Sequence, residues 1–280
     1  MRKNNRILKK ILLFVILIVV IITGFFILRK EPDIQPAKPV SPSEYRIMSY
    51  NIHHGVGTDG MYSLSRIVSV IRENAPHIIC LNEVDYKTER TYRDDQARII
   101  AAELGMEFTF ARNTPIQGGW TGNAILSRFP IDFSENKIIS DLAENNERYS
   151  LLHTIINMDG KQLHFYCTQL SQDTSQSSTE LGELLNVVLD WGLTTPVILS
   201  GNFNIPPESK HIKDLGYYFY DLGGLVEEIS LTFPAQNPTR RIDYIFMNDK
   251  LVPVSILSFK SELSKIASNH LPVLARFRIK

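Results

Sequence analysis

Cysteine is almost absent from this 280-residue chain, which has two, Cys80 and Cys167. That number excludes a disulfide-rich framework. Both residues lie in apolar, strand-like runs, so buried free thiols are the expectation. A disulfide stays open, because the geometry it needs is not written in the sequence. Net charge is also lacking, with 30 Lys and Arg against 30 Asp and Glu. The balance hides an asymmetry: residues 1–30 hold seven Lys and Arg and no acid, which leaves the remainder net acidic by seven. An acidic body opposes tight non-specific binding to nucleic acid, which relies on many cationic contacts to phosphates. It is compatible with a metal-dependent site, where the ion supplies the positive charge.

The amino terminus lacks a small-residue cleavage site and a nearby cysteine, which argues against a removed signal peptide and against lipoprotein processing. What it has is an apolar run from Ile11 to Leu28, interrupted by Thr23 and Gly24 and flanked by basic residues. At about 1.5 Å per residue the run reaches roughly 27 Å, close to the hydrocarbon thickness of a bilayer. It predicts a single transmembrane helix, a signal anchor at 11–28 behind a basic cytoplasmic tail at 1–10. The heavier basic flank lies on the amino-terminal side, so the main domain is expected outside the cytoplasm at the cell membrane. Pro32, Pro36, Pro39 and Pro42 mark 29–44 as a semi-extended linker. Residues 45–280 show no internal repeat and read as one domain.

Within that domain, strand-like runs occur at 45–50, 77–81, 107–111, 123–127, 151–156, 162–168, 196–200, 242–247 and 273–279. Leu64, Ile67, Val68 and Ile71 recur at helical spacing. Asp94 or Asp95 is suited to cap a helix that runs through Leu104 and stops at Gly105. Leu181, Leu184, Leu185 and Val188 mark a third helix. Many strands with few helices suggest stacked sheets flanked by helices, an α/β fold. Four apolar strands end directly in polar residues: Tyr50 into Asn51, Leu81 into Asn82-Glu83, Cys167 into Thr168-Gln169, and Ser200 into Gly201-Asn202. Buried strand bodies with polar ends are a common way to build a pocket on a rigid scaffold.

Six segments in order then resemble the endonuclease/exonuclease/phosphatase superfamily. They are Met48-Ser49-Tyr50-Asn51-Ile52-His53-His54-Gly55, Leu81-Asn82-Glu83-Val84-Asp85, Gly122-Asn123-Ala124-Ile125-Leu126-Ser127, Gly201-Asn202-Phe203-Asn204, Arg241-Ile242-Asp243-Tyr244-Ile245-Phe246 and Ser268-Asn269-His270-Leu271-Pro272-Val273. The resemblance implies a four-layer α/β sandwich with two central, mainly antiparallel sheets. It implies hydrolysis of phosphate esters with Mg²⁺ or Mn²⁺, the ion neutralising phosphate and stabilising developing charge. On that template Glu83 binds the metal, Asn51 and Asn204 hold metal or phosphate, and Asp243 orients His270, which helps to activate water, with Asn204 counted beside them as catalytic. Arg90, Arg93 and Arg148 are further phosphate candidates. His53 and His54 either contact ligand or support their loop, and Trp120 is expected in loop packing.

Three positions depart from the family pattern. Gln169 stands in place of a His, and Asn202 and Asn269 stand in place of Asp. An amide keeps nearly the shape of a carboxylate but carries no charge and accepts no proton at neutral pH. The reading from sequence is therefore a membrane-anchored domain that binds a phosphate-ester ligand, lipid or small molecule rather than nucleic acid, with impaired hydrolysis. A working Mg²⁺- or Mn²⁺-dependent phosphodiesterase or phosphatase built on Glu83, Asp243 and His270 is one alternative. A module that binds a protein partner beside a vestigial pocket is the other.

Overall fold

The computed structural model describes residues 44–142, 147–225 and 231–280. The expected tail, anchor and linker lie outside the described residues, Glu44 excepted. Among the described residues no helix is long and apolar enough to cross a membrane.

Two mixed sheets of six strands each carry the fold. The first contains β1 (Tyr45–Asn51), β2 (Ile78–Tyr86), β3 (Glu107–Ile116), β4 (Gly119–Ser127), β11 (Leu251–Ser258) and β12 (Val273–Ile279). Their spatial order is β11-β12-β1-β2-β4-β3. The second contains β5 (Ile131–Leu142), β6 (Glu147–Met158), β7 (Lys161–Gln169), β8 (Val197–Asn202), β9 (Tyr220–Asp221) and β10 (Asp243–Met247). Their order is β5-β6-β7-β8-β10-β9.

Each sheet has one parallel pair, β1 with β2 and β7 with β8. Parallel neighbours need a long crossover, and a helix supplies it in both cases. Helix α1 (Leu64–Asn74) joins β1 to β2, and α3 (Thr174–Trp191) joins β7 to β8. The apolar stripe Leu64, Ile67, Val68 and Ile71 turns one face of α1 onto the first sheet. Between β2 and β3 lies α2 (Gln96–Leu104). Asp95 caps it by accepting from Arg98 N, and Gly105, at φ 63°, ends it. Asp94 takes the Tyr62 hydroxyl at 2.7 Å instead. Short helices α4 (Lys210–Leu215) and α5 (Glu262–Ala267) follow β8 and β11.

Three apolar clusters hold these parts together. One fills the space between the sheets and includes Ile47, Ile78, Phe165, Ile198, Ile245 and Phe277. A second packs α1 and α2 on the first sheet, and a third packs α3 and α4 on the second. Full burial of each large side chain in them contributes roughly 1.5–3 kcal/mol. Cys80 on β2 and Cys167 on β7 both point into the first cluster, where they form a disulfide with Cα atoms 5.5 Å apart. The expectation of free thiols is corrected. Two strands of different sheets turned these residues toward each other, a relationship their local sequences do not contain.

All nine expected strand regions form strands. Sequence reading missed β5, β9 and β11, and each of the three is an edge strand. Edge strands carry charges or proline in place of continuous apolar runs, as Asp132, Glu135 and Lys137 on β5 and Pro253 on β11 illustrate.

Candidate functional site

The carboxyl ends of β1, β2, β7 and β8 meet at one edge of the two sheets. Asn82 ties them together. Its Nδ2 donates to Asn123 Oδ1 and to Thr168 O, both at 2.8 Å, and its Oδ1 accepts from Asn202 N at 3.1 Å. Gly201 permits this approach, because a Cβ there would overlap the Thr168 carbonyl oxygen. The β2–β4 ladder shifts register between Leu81 and Val84, and Glu83 takes φ 53° within the bulge. Bulges re-aim side chains. Asn82 turns between the sheets while Glu83 turns out into the cavities. His53, His54 and Asn204 also hold left-handed backbone, at φ 45°, 51° and 55°. Such conformations cost energy and gather where the surrounding structure enforces them.

Two cavities open at this edge. The smaller, about 200 Å³, is lined by Glu83, Asn202, Asn204, Arg240, Asn269 and His270, among others. His270 is 4% exposed and shares a 2.8 Å hydrogen bond with Asp243 through Nδ1. Burial pushes His270 down, but the charge and hydrogen bond of Asp243, helped by Glu83, raise it above the usual histidine value. Asn202 donates through Nδ2 to the other oxygen of Asp243 at 3.1 Å and to Ile242 O at 3.3 Å. Arg240 lies over the Phe233 ring at 4.7 Å, and the same ring packs on His270 with centroids 4.7 Å apart.

Glu83 stands at the common wall. Its Oε1 accepts from Asn51 Nδ2 at 2.8 Å and from Gln169 Nε2 at 3.2 Å. Asn51 Oδ1 takes the His53 backbone N–H at 3.0 Å, which fixes the amide with its N–H toward Glu83. Behind it Arg90 donates through Nε and Nη2 to the fully buried Asp85 and through Nη2 to His54 Nδ1 at 3.1 Å. Burial disfavours the Asp85 charge, but the bonds from Arg90 and Thr88 keep its carboxyl below the usual range. Burial pushes His54 down to about 4, against the pull of Glu83 and with Arg90 adding to the shift. His54 is therefore a neutral acceptor at pH 7.

The larger cavity, about 470 Å³, shares Glu83, Gln172 and Asn204 with the smaller one. Arg90, Asn113, Arg148, Gln169 and Gln176 contribute to the rest of its wall.

The structure thus brings Glu83, Asn202, Asn204, Asn269 and His270 together, with Asp243 directly behind His270. It separates others. Asn51 lines neither cavity and donates to Glu83 behind their common wall. Asn204 gives its Nδ2 to Leu170 O at 2.8 Å, which leaves its Oδ1 as an acceptor at the wall of both cavities. Arg148 lines the larger cavity, away from His270. Arg93 pairs with Glu89 at the surface and lines neither cavity, and Trp120 lines neither as well. Sequence reading missed Arg240. The dipeptide Arg240-Arg241 signals charge before the Asp243 motif, but Arg241 is spent on a two-point pair with Asp221. Only the fold tells the two apart.

The model of the endonuclease/exonuclease/phosphatase family matches residues 48–270, and the chain belongs to that family. Its members hydrolyse phosphate esters and usually depend on a divalent metal. The Escherichia coli protein YbhP is 26% identical over 220 residues, which cover 73% of this chain and 85% of YbhP. The catalytic domain of human Nocturnin, solved with a bound sulfate anion, superposes with a TM-score of 0.68 at 22% identity. That match covers 87% of this chain and 97% of the Nocturnin domain. A mannosyl-6-phosphatase of Bacteroides thetaiotaomicron also has a TM-score of 0.68, at 16% identity, over 83% of this chain and 99% of its own.

The donor set fits a hard divalent ion poorly. Mg²⁺ and Mn²⁺ favour several oxygens, carboxylates among them. Glu83 is the one carboxylate lining the smaller cavity, and Asn51 gives it an N–H. His53, His54 and Glu83 bring ligand atoms within 4.8 Å of one another, but His54 Nδ1 already accepts from Arg90.

Proposed function

We propose that this domain binds a phosphate-ester ligand, a lipid or small molecule, and hydrolyses it slowly or not at all. One observation carries the reading: the smaller cavity sets Arg240 and a buried, Asp243-paired His270 around a space with a single carboxylate. Arg240, the His270 ring, whose pKa Asp243 holds above the usual histidine value, and the Asn269 amide suit an oxyanion. The charge that would hold a catalytic metal is missing at Asn202 and Asn269. Loss of one well-placed electrostatic group commonly costs about a hundredfold to a thousandfold in rate. The sulfate held by the Nocturnin domain and the mannosyl-6-phosphatase on the same fold support a phosphate-like ligand.

The domain is proposed to stand outside the cytoplasm, anchored in the cell membrane by residues 11–28. The Cys80–Cys167 disulfide supports an oxidising compartment. The intact His270–Asp243 pair favours residual hydrolysis as the second reading.

The test is turnover of a model phosphodiester and a model phosphomonoester with Mg²⁺ or Mn²⁺. A folded Gln169→His, Asn202→Asp, Asn269→Asp variant is expected to exceed the natural chain by about a hundredfold or more. Natural turnover in the ordinary range of roughly 1–1000 per second, abolished by His270→Ala, would overturn the impaired reading.

A further inference from the structure

A row of basic side chains crosses the first sheet at the end opposite the cavities. β1 begins there, and Arg46 lies directly across from Arg276 on β12. Met48 and Leu274, two residues away on each strand, pack on the helix side, so Arg46 and Arg276 share that face. On its other side Arg46 gives its backbone N–H to His77 Nδ1 at 2.9 Å, and its carbonyl accepts from His77 N at 2.8 Å. The His77 carbonyl in turn takes the Arg128 N–H at 2.9 Å. The Arg128 side chain reaches the loop behind α1, where Nε donates to Pro76 O at 3.1 Å.

Like charges directly opposite on neighbouring strands destabilise a sheet. One acid relieves part of this row: Glu44 pairs with Arg278 at 2.7 Å and with Arg276 at 3.3 Å. Arg46 is half-buried, and its Nε is shielded from water with no hydrogen-bond partner among the described residues. Burial and the charges of Arg128 and Arg276 all push Arg46 below the usual arginine value, and no acid acts against them. His77 is pushed down to about 4 by burial and by Arg46 and Arg128, so it is neutral at pH 7. A partly buried donor left without an acceptor costs stability, and an arriving oxyanion supplies what is missing. A guanidinium presents paired N–H groups that match phosphate oxygens.

We propose that Arg46, Arg128 and Arg276 form a second anion site that takes a phosphate group, from a phospholipid headgroup or from solution. Its placement favours the headgroup. Glu44, two residues before Arg46, is where the linker at 29–44 joins the domain. At about 3.1 Å per residue that linker spans roughly 50 Å when extended, so the basic end stays within reach of a bilayer. Arg278, Lys161 and Lys280 extend the positive face, the last two joined by a 3.2 Å bond from Lys161 Nζ to Lys280 O. Each such cation near an anionic lipid surface adds to the attraction. A domain docked in this way holds its cavities away from the bilayer. The site is independent of the phosphate reading of those cavities, and the headgroup source alone rests on the anchor at 11–28.

Thermal melts of the full-length protein in a neutral detergent test the site. The probes are short-chain phosphatidylglycerol, short-chain phosphatidylcholine and inorganic phosphate. Phosphatidylglycerol at about a hundred times its Kd is expected to raise the melting temperature by about 5 °C, and phosphatidylcholine by much less. Arg46→Gln, or Arg128→Gln if the first fails to fold, is expected to lose most of that shift. Arg240→Gln, in the smaller cavity, is expected to keep it. An undiminished shift in the Arg46 and Arg128 variants overturns the proposal, as does a shift that Arg240→Gln alone removes. A shift that phosphatidylcholine reproduces in full overturns it too, and so does the absence of any shift with every probe. Inorganic phosphate giving at least the same arginine-dependent shift as phosphatidylglycerol assigns the free anion, and a smaller one assigns the headgroup. The anchor is tested apart from the site: full-length protein that fails to float with phosphatidylcholine vesicles removes the anchor, whatever the melts show.

Discussion

Asn202 and His270 hold opposite oxygens of the same carboxylate: Asn202 Nδ2 donates to Asp243 Oδ1 at 3.1 Å, and His270 Nδ1 bonds Oδ2 at 2.8 Å. The substitution at 202 therefore does more than remove a charge from the cavity. It adds a donor that buttresses the acid behind the histidine, where a carboxylate would repel it.

Asn202→Asp alone is expected to destabilise the domain in a pH-dependent way. Two carboxylates 3.1 Å apart in a buried site raise one macroscopic pKa of the pair. The folded state then binds more protons than the unfolded state, so stability falls as pH rises. Thermal melts should show a deficit of about 2 kcal/mol at pH 8 that shrinks at pH 5. A deficit independent of pH would contradict this account.

His270 is held above the ordinary histidine value, so its contribution to stability is full below the unfolded pKa and is lost as pH rises through the folded one. Asp243→Asn removes that support and leaves burial and Arg240 opposed by Glu83 alone. The His270 ring signal in NMR is expected to titrate below the usual histidine pKa in the variant and above it in the natural chain. The variant should also lose about 2 kcal/mol near pH 6.

Arg90→Ala strands the buried Asp85 carboxylate, at a cost of about 3 kcal/mol at pH 7. In the natural chain the lowered Asp85 carboxyl stabilises the fold above its unfolded pKa and is lost on acidification through the folded one. Without Arg90 burial raises that pKa, so the gap between the two proteins should narrow toward pH 4. Denaturant midpoints across that range provide the measurement.

Reduction of the Cys80–Cys167 disulfide reopens a loop with a sequence separation of 87. Chain entropy places the loss at about 4.6 kcal/mol. The melting temperature with a strong reductant should fall accordingly, and a Cys80→Ala, Cys167→Ala variant should no longer respond to the reductant.

Removal of metal is expected to leave phosphate binding at the smaller cavity unchanged. Calorimetry in excess chelator and in excess Mg²⁺ should give affinities within about twofold of each other. A tenfold gain with Mg²⁺ would show that Glu83 and its amide neighbours hold an ion after all.

The sequence by itself determined the apolar strand bodies, the helix stripe from Leu64 to Ile71, the polar strand ends and the family to which they belong. It also identified the three groups whose charge or titration is missing. These are local properties: periodicity and motif spacing are carried by neighbours along the chain. The edge strands β5, β9 and β11 escaped notice because one side of each is unpaired, which relaxes the demand for apolar residues. Only the tertiary structure decided that Cys80 meets Cys167, that Arg240 rather than Arg241 faces the cavity, and which half of each amide is left to a ligand. The disulfide depends on register between strands far apart in sequence, where a shift of one residue would send the side chain to the opposite face, and the others depend on partners that only the fold brings near.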